Sequence, residues 1–402
     1  MIQLTDMTIY MKMLNKMIFE RNMVFRPLND PVTGSSACFF FGPRKTGKST
    51  LVRNRFPDGP YHDLSDMDVR RELLKHPGLF RGAQYAGGSE TVIIDEVHRA
   101  PEILEEVRQS LDVSSTRFIL CSSNPVKLKR TGTKLLSGRG VEHYLHPLAS
   151  SEIPDLDLDR ILNNGGIPDH YLSDDPGPLL ESYVNEYLTE DIKGESLTRD
   201  VPAFERFLKT AAIVHGGRPN YADAGCECGV SANTARNFYR ILKDTLFGFE
   251  IPAWRKKRKR RLVETARFFL FDMGVANHLN PEVHGVLPGS NSYERAFVHF
   301  LINEIRSWMS WKRRRVELSC WATSSGFDVD LVLGDMDLAL DFKPVLHVRK
   351  PDLKGLRALL EEYQVSRAML VSRDISERRS EEGIELIHWK KFCSLLWSNR
   401  VV

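Results

Sequence analysis

The run Gly42-Pro43-Arg44-Lys45-Thr46-Gly47-Lys48-Ser49 sets two glycines, a lysine and a hydroxyl at the spacing GxxxxGK[ST]. Glycines let backbone N–H groups turn inward around an anion, at the positive end of the helix that follows. In this pattern Lys48 reaches the β- and γ-phosphates of a nucleotide, Ser49 ligates magnesium, and Thr50 begins the helical stretch behind the loop. Residues 42 to 50 therefore read as an ATP site. Further along, Thr91-Val-Ile-Ile94 is an apolar run that ends in Asp95 and Glu96. At the end of a buried strand, Asp95 would hold magnesium through water and Glu96 would orient and deprotonate the attacking water. Both acids together point to hydrolysis and not to binding alone. Asn124, after the apolar run Phe118–Cys121, is placed to sense the γ-phosphate, and Arg139 to stabilise transition-state charge in cis or from a neighbouring copy.

A second set of chemistry-bearing residues lies near the C-terminus. Successive helical residues advance by about 100°, so Glu294 falls on the stripe of Phe297, Val298, Leu301, Ile305 and Trp308 and is expected to face the core. In the alternating run Phe327–Leu333, Asp328 and Asp330 share a face, and in the next run so do Asp341 and Lys343. Glu294, Asp330 and Asp341-x-Lys343 follow the order of the D…(D/E)xK nucleases. There Asp330 and Asp341 would bind magnesium or manganese, and Lys343 would position or activate water against a phosphodiester. The competing reading is an ion network in which Lys343 only neutralises the three acids.

The elements that must position these groups follow from the hydrophobic pattern. Cys38–Phe41, Thr91–Ile94 and Phe118–Cys121 are short apolar runs bounded by turn formers, as expected of buried parallel strands between helices. After Pro147 the pattern turns helical, with Leu179–Ile192 and Phe204–Val214 at helical spacing. Tyr221–Cys228, a turn at Gly229 and a helix from Ser231 to Leu242 make a helix-turn-helix signature, with Ser231 as N-cap. From Tyr293 the order is a long helix to about Trp311, strands 327–333 and 338–342, a helix near 353–363 and a strand at 368–372. The expected domains are an N-terminal helical segment (1–30), a nucleotide domain (31–155), a helical domain (156–285) and a third α/β domain (286–402).

Composition sets the limits. The chain has 402 residues, 42% hydrophobic and 27% charged, which excludes disordered and collagen-like classes. It has no apolar run long enough to span a membrane and no signal-peptide core, so a cytoplasmic protein is expected. Six scattered cysteines fit a reducing compartment, and Cys226 and Cys228, without a second pair, read as buried thiols. Net charge is only +3, yet Arg255, Lys256, Lys257, Arg258, Lys259, Arg260 and Arg261 form one uninterrupted basic run. Beside the helix that carries Arg236 and Arg240, this run suits a DNA backbone and implies little sequence preference.

In this order the motifs resemble the prokaryotic AAA-type ATPases that carry a C-terminal domain of unknown function. Besides the loop and Asp95-Glu96, the resemblance rests on Leu136-Ser-Gly-Arg139, Pro147-Leu148 with Glu152, Gly165-Gly-Ile-Pro168, Tyr187-Leu-Thr-Glu-Asp191-Ile192, Val230-Ser-Ala-Asn-Thr234, Ile241-Leu242 and Phe271-Asp272-Met-Gly274. It implies an AAA-type parallel sheet, then a helical winged-helix module, then a restriction-endonuclease-like α/β domain. The functional expectation is magnesium-dependent ATP hydrolysis coupled to DNA binding, with metal-dependent DNA cleavage by the C-terminal domain. The alternative is a nucleotide-gated switch that binds DNA or a protein partner and breaks no phosphodiester. A second copy of the chain is a further candidate partner.

Overall fold

Strands that are apolar on both faces can only be buried on both faces, and the first unit is built around three of them. The computed structural model describes residues 37–76, 78, 91–130, 136, 139–256 and 259–401. These residues fall into two compact units, 37–146 with 244–246 and 147–243 with 247–401. The expected N-terminal helix (1–30) lies outside the described residues, as do Ser137, Gly138, Lys257 and Arg258.

The first unit runs β1 (Ala37–Phe41), α1 (Lys48–Arg55), β2 (Tyr61–Asp63), α2 (Met67–Lys75), β3 (Thr91–Asp95), α3 (Ile103–Val113), β4 (Arg117–Ser122), α4 (Pro125–Arg130) and β5 (Gly140–Tyr144). Among the described residues its strands form one parallel sheet in the order β2-β3-β4-β1-β5. Alternation along the strands sorts their side chains into two clusters. Phe39, Phe41, Val92, Ile94, Phe118 and Leu120 pack with Ile103, Leu104 and Val107 of α3. Phe40, Ile93, Ile119 and Cys121 pack with Leu51 and Val52 of α1. Helices therefore cover both faces, which leaves the C-terminal edge of the strands as the open rim where α/β sheets place their ligands.

The second unit opens with α5 (Leu158–Asn164), α6 (Pro168–Leu172), α7 (Gly177–Glu186) with a π-helical continuation over Tyr187–Lys193, α8 (Val201–Ile213), α9 (Tyr221–Cys228) and α10 (Ala232–Asp244). The expected helix, turn and helix of 221–242 is present, and Thr234 N donates to Ser231 Oγ at 3.1 Å, as an N-cap requires. Edge-on aromatic pairs such as Phe207–Tyr239 and Phe204–Phe238, 4.7 and 5.1 Å between centroids, fill its core. An antiparallel pair follows, β6 (Gly248–Ile251) and β7 (Arg267–Leu270), and then α11 (Met273–Leu279). Two strings noted in the sequence meet here. Gly166 N donates to Asp272 at 2.7 Å, and Gly274 passes so near Asn164 that an added Cβ would lie 2.1 Å from its carbonyl oxygen.

The chain continues through α12 (Asn291–Trp311), β8 (Leu318–Ala322), β9 (Asp328–Leu333), β10 (Leu338–Lys343), α13 (Lys354–Leu360), β11 (Arg367–Ser372), β12 (Arg378–Arg379), β13 (Glu385–His388) and α14 (Trp389–Trp397). Among the described residues the sheet order is β12-β13-β11-β10-β9-β8. β10 runs parallel to β11 and antiparallel to β9. The connection between β6 and β7, which holds the basic run, is fastened to this sheet rather than standing clear of it. Ala253 bridges to Cys320 and Leu262 to Thr323, so both of its ends lie along β8. Cys226 is exposed although expected to be buried, because the apolar side of α9 is carried by Ala224, Gly225 and Cys228.

Candidate nucleotide site and carboxylate centre

β1 ends at Phe41 and the loop 42–47 turns directly into α1, as the motif requires. Lys45 and Gly47 take left-handed backbone, φ 58° and 94°, which curls the loop. At Gly42 a Cβ would meet the Leu145 carbonyl oxygen at 2.5 Å, so only glycine fits this approach. Thr46 and Lys48 are buried. Thr46 Oγ1 donates to Pro43 O at 2.9 Å, and Lys48 Nζ donates to Gly42 O and Pro43 O at 2.7 and 2.8 Å, closing the loop on itself. Pro43 is buried, Arg44, Gly47 and Ser49 are half-buried, and Lys45 and Thr50 are exposed.

The strand pairing brings the other expected residues to the same edge. β1 pairs with β4 up to Phe41 beside Ser122, and β3 with β4 up to Ile94 beside Leu120, so Gly42, Asp95, Glu96 and Ser122–Asn124 all stand at or just beyond the C-terminal ends of neighbouring strands. Asp95 is buried; its Oδ1 accepts from Glu96 N at 2.9 Å and its Oδ2 accepts from the Tyr61 hydroxyl of β2. Burial and the neighbouring Asp95 together raise the Tyr61 hydroxyl above the usual range, so it stays a donor. Glu96 stands in left-handed backbone, φ 51°. Its Oε2 lies 3.1 Å from both Ser123 Oγ and His98 Nδ1. Burial pushes the carboxyl up, but His98, Lys48 and Arg44 outweigh it and hold Glu96 well below the usual carboxylate range.

Two expected residues are otherwise engaged. Asn124 Oδ1 accepts from Lys127 N at 3.1 Å and so caps the start of α4, leaving Ser123 as the side chain of this strand end that touches Glu96. Arg139 is exposed at the start of β5 and pairs with Asp112 of α3. Tyr61 and His98 belong to no motif and are not legible in the sequence as site residues, whereas Ser123 lies in the polar run Ser122-Ser123-Asn124 from which Asn124 is the expected sensor. The one hint of His98 is its place two residues after Glu96, inside an apolar-flanked turn.

In the second unit Glu294, Asp330, Asp341 and Lys343 do come together. Asp330 and Asp341 are buried and share a hydrogen bond, and Lys343 Nζ lies 3.2 Å from Glu294 Oε1. The expectation that Glu294 faces the core is overturned. It sits in the first turn of α12 with its side chain 48% exposed, and Tyr293 is the residue buried at that end. An arginine absent from the sequence reading completes the centre. Arg267 of β7 donates to Asp330 Oδ1 at 2.6 Å and to Gly216 O at 2.7 Å, while Phe342 N donates to Asp330 Oδ2 at 2.9 Å. Burial favours the neutral acid, but Arg267 and Lys343 hold Asp330 below the usual range; burial and the adjacent Asp330 push Asp341 far above it. For Lys343 burial opposes the charge, yet Asp341, Asp330 and Glu294 raise it overall. Among the described residues no group of three or more His, Cys, Asp or Glu side chains is disposed to hold a metal ion.

The residues assigned to DNA are mostly at the surface. Arg236 and Arg240 are exposed on α10, with Arg236 over the Tyr221 ring and Arg240 bonded to Asn237. Arg255, Lys256, Lys259 and Arg261 are exposed, Lys256 beside Asp335 at 2.5 Å. Arg260 differs: it pairs with Glu361 and Glu362, each at 2.6 Å. Among the described residues no helix is long and apolar enough to cross a membrane.

Comparison with known proteins places these features. Residues 155–283 match the model of a domain of unknown function (DUF8612). No curated protein matches the chain. Among solved structures, a Walker-type ATPase of Pyrococcus abyssi is 14% identical, with 65% of this chain and 94% of that one covered at a TM-score of 0.42. The Orc1 protein of Aeropyrum pernix in complex with DNA is 14% identical over 65% of this chain and 91% of that one, TM-score 0.29. A signal-transduction ATPase with a tetratricopeptide repeat sensor from Pyrococcus horikoshii is 12% identical over 70% of this chain and 46% of that one, TM-score 0.20. Residues 34–154 match the AAA domain, and with the loop, the acidic strand end and the parallel sheet in place this part of the chain is an AAA-type ATPase domain.

Proposed function

We propose that the chain is a magnesium-dependent ATPase whose nucleotide cycle controls how its second unit holds DNA. The observation that carries the reading is the gathering of the Lys48 loop, Asp95-Glu96 and Ser122–Asn124 at one edge of a parallel sheet. Residues 42–50 bind the phosphates, with Lys48 on the β- and γ-phosphates. The hydroxyl of Ser49 and the carboxylate of Asp95 are the hard oxygen donors that magnesium takes. Held there by Ser49 and Asp95, the ion would offset the negative charge of the phosphates. Glu96 takes the proton of the attacking water as the water oxygen bonds to the γ-phosphorus and the bond to the β–γ bridging oxygen breaks, giving ADP and phosphate. Asn124 belongs to the same edge as γ-phosphate sensor; Arg139, just before Gly140 and so beside Ala37 at the opposite end of β1, serves as charge stabiliser across to a second copy and not in its own subunit.

The second unit is read as a winged-helix module followed by a restriction-endonuclease-like sheet. Its DNA surface is Arg236 and Arg240 of α10 with the run 255–261. A regulatory switch is favoured over cleavage by Arg267, which occupies Asp330 and leaves the centre balanced by its own cations. Cleavage is favoured by the convergence of Glu294, Asp330, Asp341 and Lys343, and by Oδ1 of the buried Asp341, the oxygen that has no hydrogen-bond partner among the described residues and suits a divalent cation once Arg267 withdraws.

The test reads hydrolysis, nucleotide retention and cleavage together, with ATP, magnesium or manganese and a panel of labelled DNAs. Lys48→Ala is expected to abolish turnover, and Glu96→Gln to retain bound ATP without hydrolysing it. Equal hydrolysis by wild type and Glu96→Gln would overturn the assignment. Metal-dependent cleavage lost in Asp341→Asn, with hydrolysis kept, would establish the nuclease reading over the switch.

A further inference from the structure

Directly after Glu96 the chain forms a tight 3-10 turn over Val97–Arg99, and His98 is buried within it. The left-handed backbone of Glu96, φ 51° and ψ 41°, folds that turn back so that a residue only two positions on returns to the Glu96 carboxylate. A non-glycine residue keeps this conformation only where its surroundings enforce it. His98 Nδ1 lies 3.1 Å from Glu96 Oε2 and 3.1 Å from Ser122 Oγ. Ser122 Oγ in turn accepts from Asn124 N at 3.0 Å, so the imidazole is held against a strand end that is itself tied down. A carboxylate has no hydrogen to give, so the hydrogen between Nδ1 and Oε2 belongs to His98. The Ser123 hydroxyl donates to the same oxygen at 3.1 Å. Both donors fall on Oε2, and among the described residues none donates to Oε1.

We propose that His98 is a positioning residue for ATP hydrolysis: with Ser123 it clamps Oε2 of Glu96, so that Oε1 is the oxygen presented to the attacking water. This rests on Glu96 being the base. A glutamate side chain has three rotatable bonds, and an unclamped carboxylate would spend much of its time out of reach of the water. Fixing one oxygen from two sides leaves rotation little freedom and aims the other. The step itself is unchanged: the water proton passes to Oε1 while phosphorus exchanges the bridging oxygen for the water oxygen, and the proton is later released to solvent.

The experiment compares His98→Leu, His98→Asn, Ser123→Ala and Glu96→Gln in the full chain. Single-turnover ATP hydrolysis is measured beside the affinity for ATP in the absence of turnover. His98→Leu is expected to lower the hydrolysis rate by roughly 10- to 100-fold while ATP affinity stays within about twofold. His98→Asn keeps an N–H donor at nearly the place of Nδ1 and is expected to recover most of the loss. In the Glu96→Gln background, His98→Leu should add nothing further, because the group it positions is already gone. A wild-type rate in His98→Leu would overturn the proposal, as would a full additional loss in the Glu96→Gln background. A wild-type rate in Glu96→Gln itself would instead remove the base assignment beneath it. A histidine that merely fills space would lose ATP affinity and melting temperature together, without rescue by asparagine, and that result also overturns the proposal.

Discussion

Asp272 is a fully buried carboxyl on which two loops depend. It caps α11 through Val275 N at 3.1 Å and holds the 165–166 turn through Gly166 N at 2.7 Å. Burial nevertheless pushes it up to about 6, because backbone donors offset only part of the lost hydration. A carboxyl whose folded value lies above its unfolded one holds its proton more tightly when folded. Its contribution to stability is therefore fully present below about pH 4 and is lost as pH rises through about 6. Two units of difference correspond to about 3 kcal/mol. Asp272→Asn keeps a capping oxygen and removes the titration. The stability of wild type minus that of Asp272→Asn, from urea unfolding, should thus fall by an amount on the order of 3 kcal/mol between pH 4 and pH 7. A difference that does not change with pH would mean that the carboxyl titrates normally.

In the proposed function the β6–β7 connection is the element on which DNA binding would depend. Its two ends are fastened to β8, and between them Arg255, Lys259 and Arg261 are exposed, while Arg260 is taken up by Glu361 and Glu362. Composition treats all seven cations alike, whereas these pairings divide them. Replacing Arg255, Lys259 and Arg261 together by serine should reduce the slope of log affinity against log salt by up to about 2.7 on duplex DNA, near 0.9 for each phosphate contact. Arg260→Ser should leave that slope unchanged and lower the melting temperature instead, since it leaves two carboxylates without their cation. An unaltered slope in the triple variant would make the run a solvated loop.

At the scale of the whole chain, Arg267 joins parts that lie far apart in sequence. It reaches from β7 to the 216 turn and to Asp330 of β9, with side-chain exposures of 14% and 5% at the ion pair. Breaking a buried pair leaves an uncompensated charge at about 3–5 kcal/mol. Arg267→Ala should therefore lower the thermal transition of the second unit, while the nucleotide affinity of the first unit stays as in wild type. Calorimetry beside ATP titration checks both. A second unit that melts unchanged would show that the centre is solvated and open.

The sequence by itself determined whatever depends on neighbours along the chain. The phosphate loop, the acidic end of β3, the cap and turn of α9–α10, and the alternation in β9 and β10 are local patterns, and backbone sterics and hydrogen bonding make such patterns readable. It also determined that Asp328 and Asp330 would share a face of one strand and Asp341 and Lys343 a face of the next, because strand period leaves no choice, whereas the register that sets Leu340 beside Leu331 is what brings Asp330 and Asp341 together. What only the tertiary structure decided were the partners brought from elsewhere: Tyr61 on Asp95, Ser123 on Glu96, and Arg267 on Asp330. Glu294 was misplaced for the same reason. Helical period gives the angle of a residue around the axis, but whether the first turn of α12 is covered depends on which strands pack over it. The β6–β7 connection was legible as basic and not as anchored, since its two bridges to β8 span about sixty residues or more of chain. Pairing across such distances is settled by which buried surfaces can be satisfied together, and no local pattern records that choice.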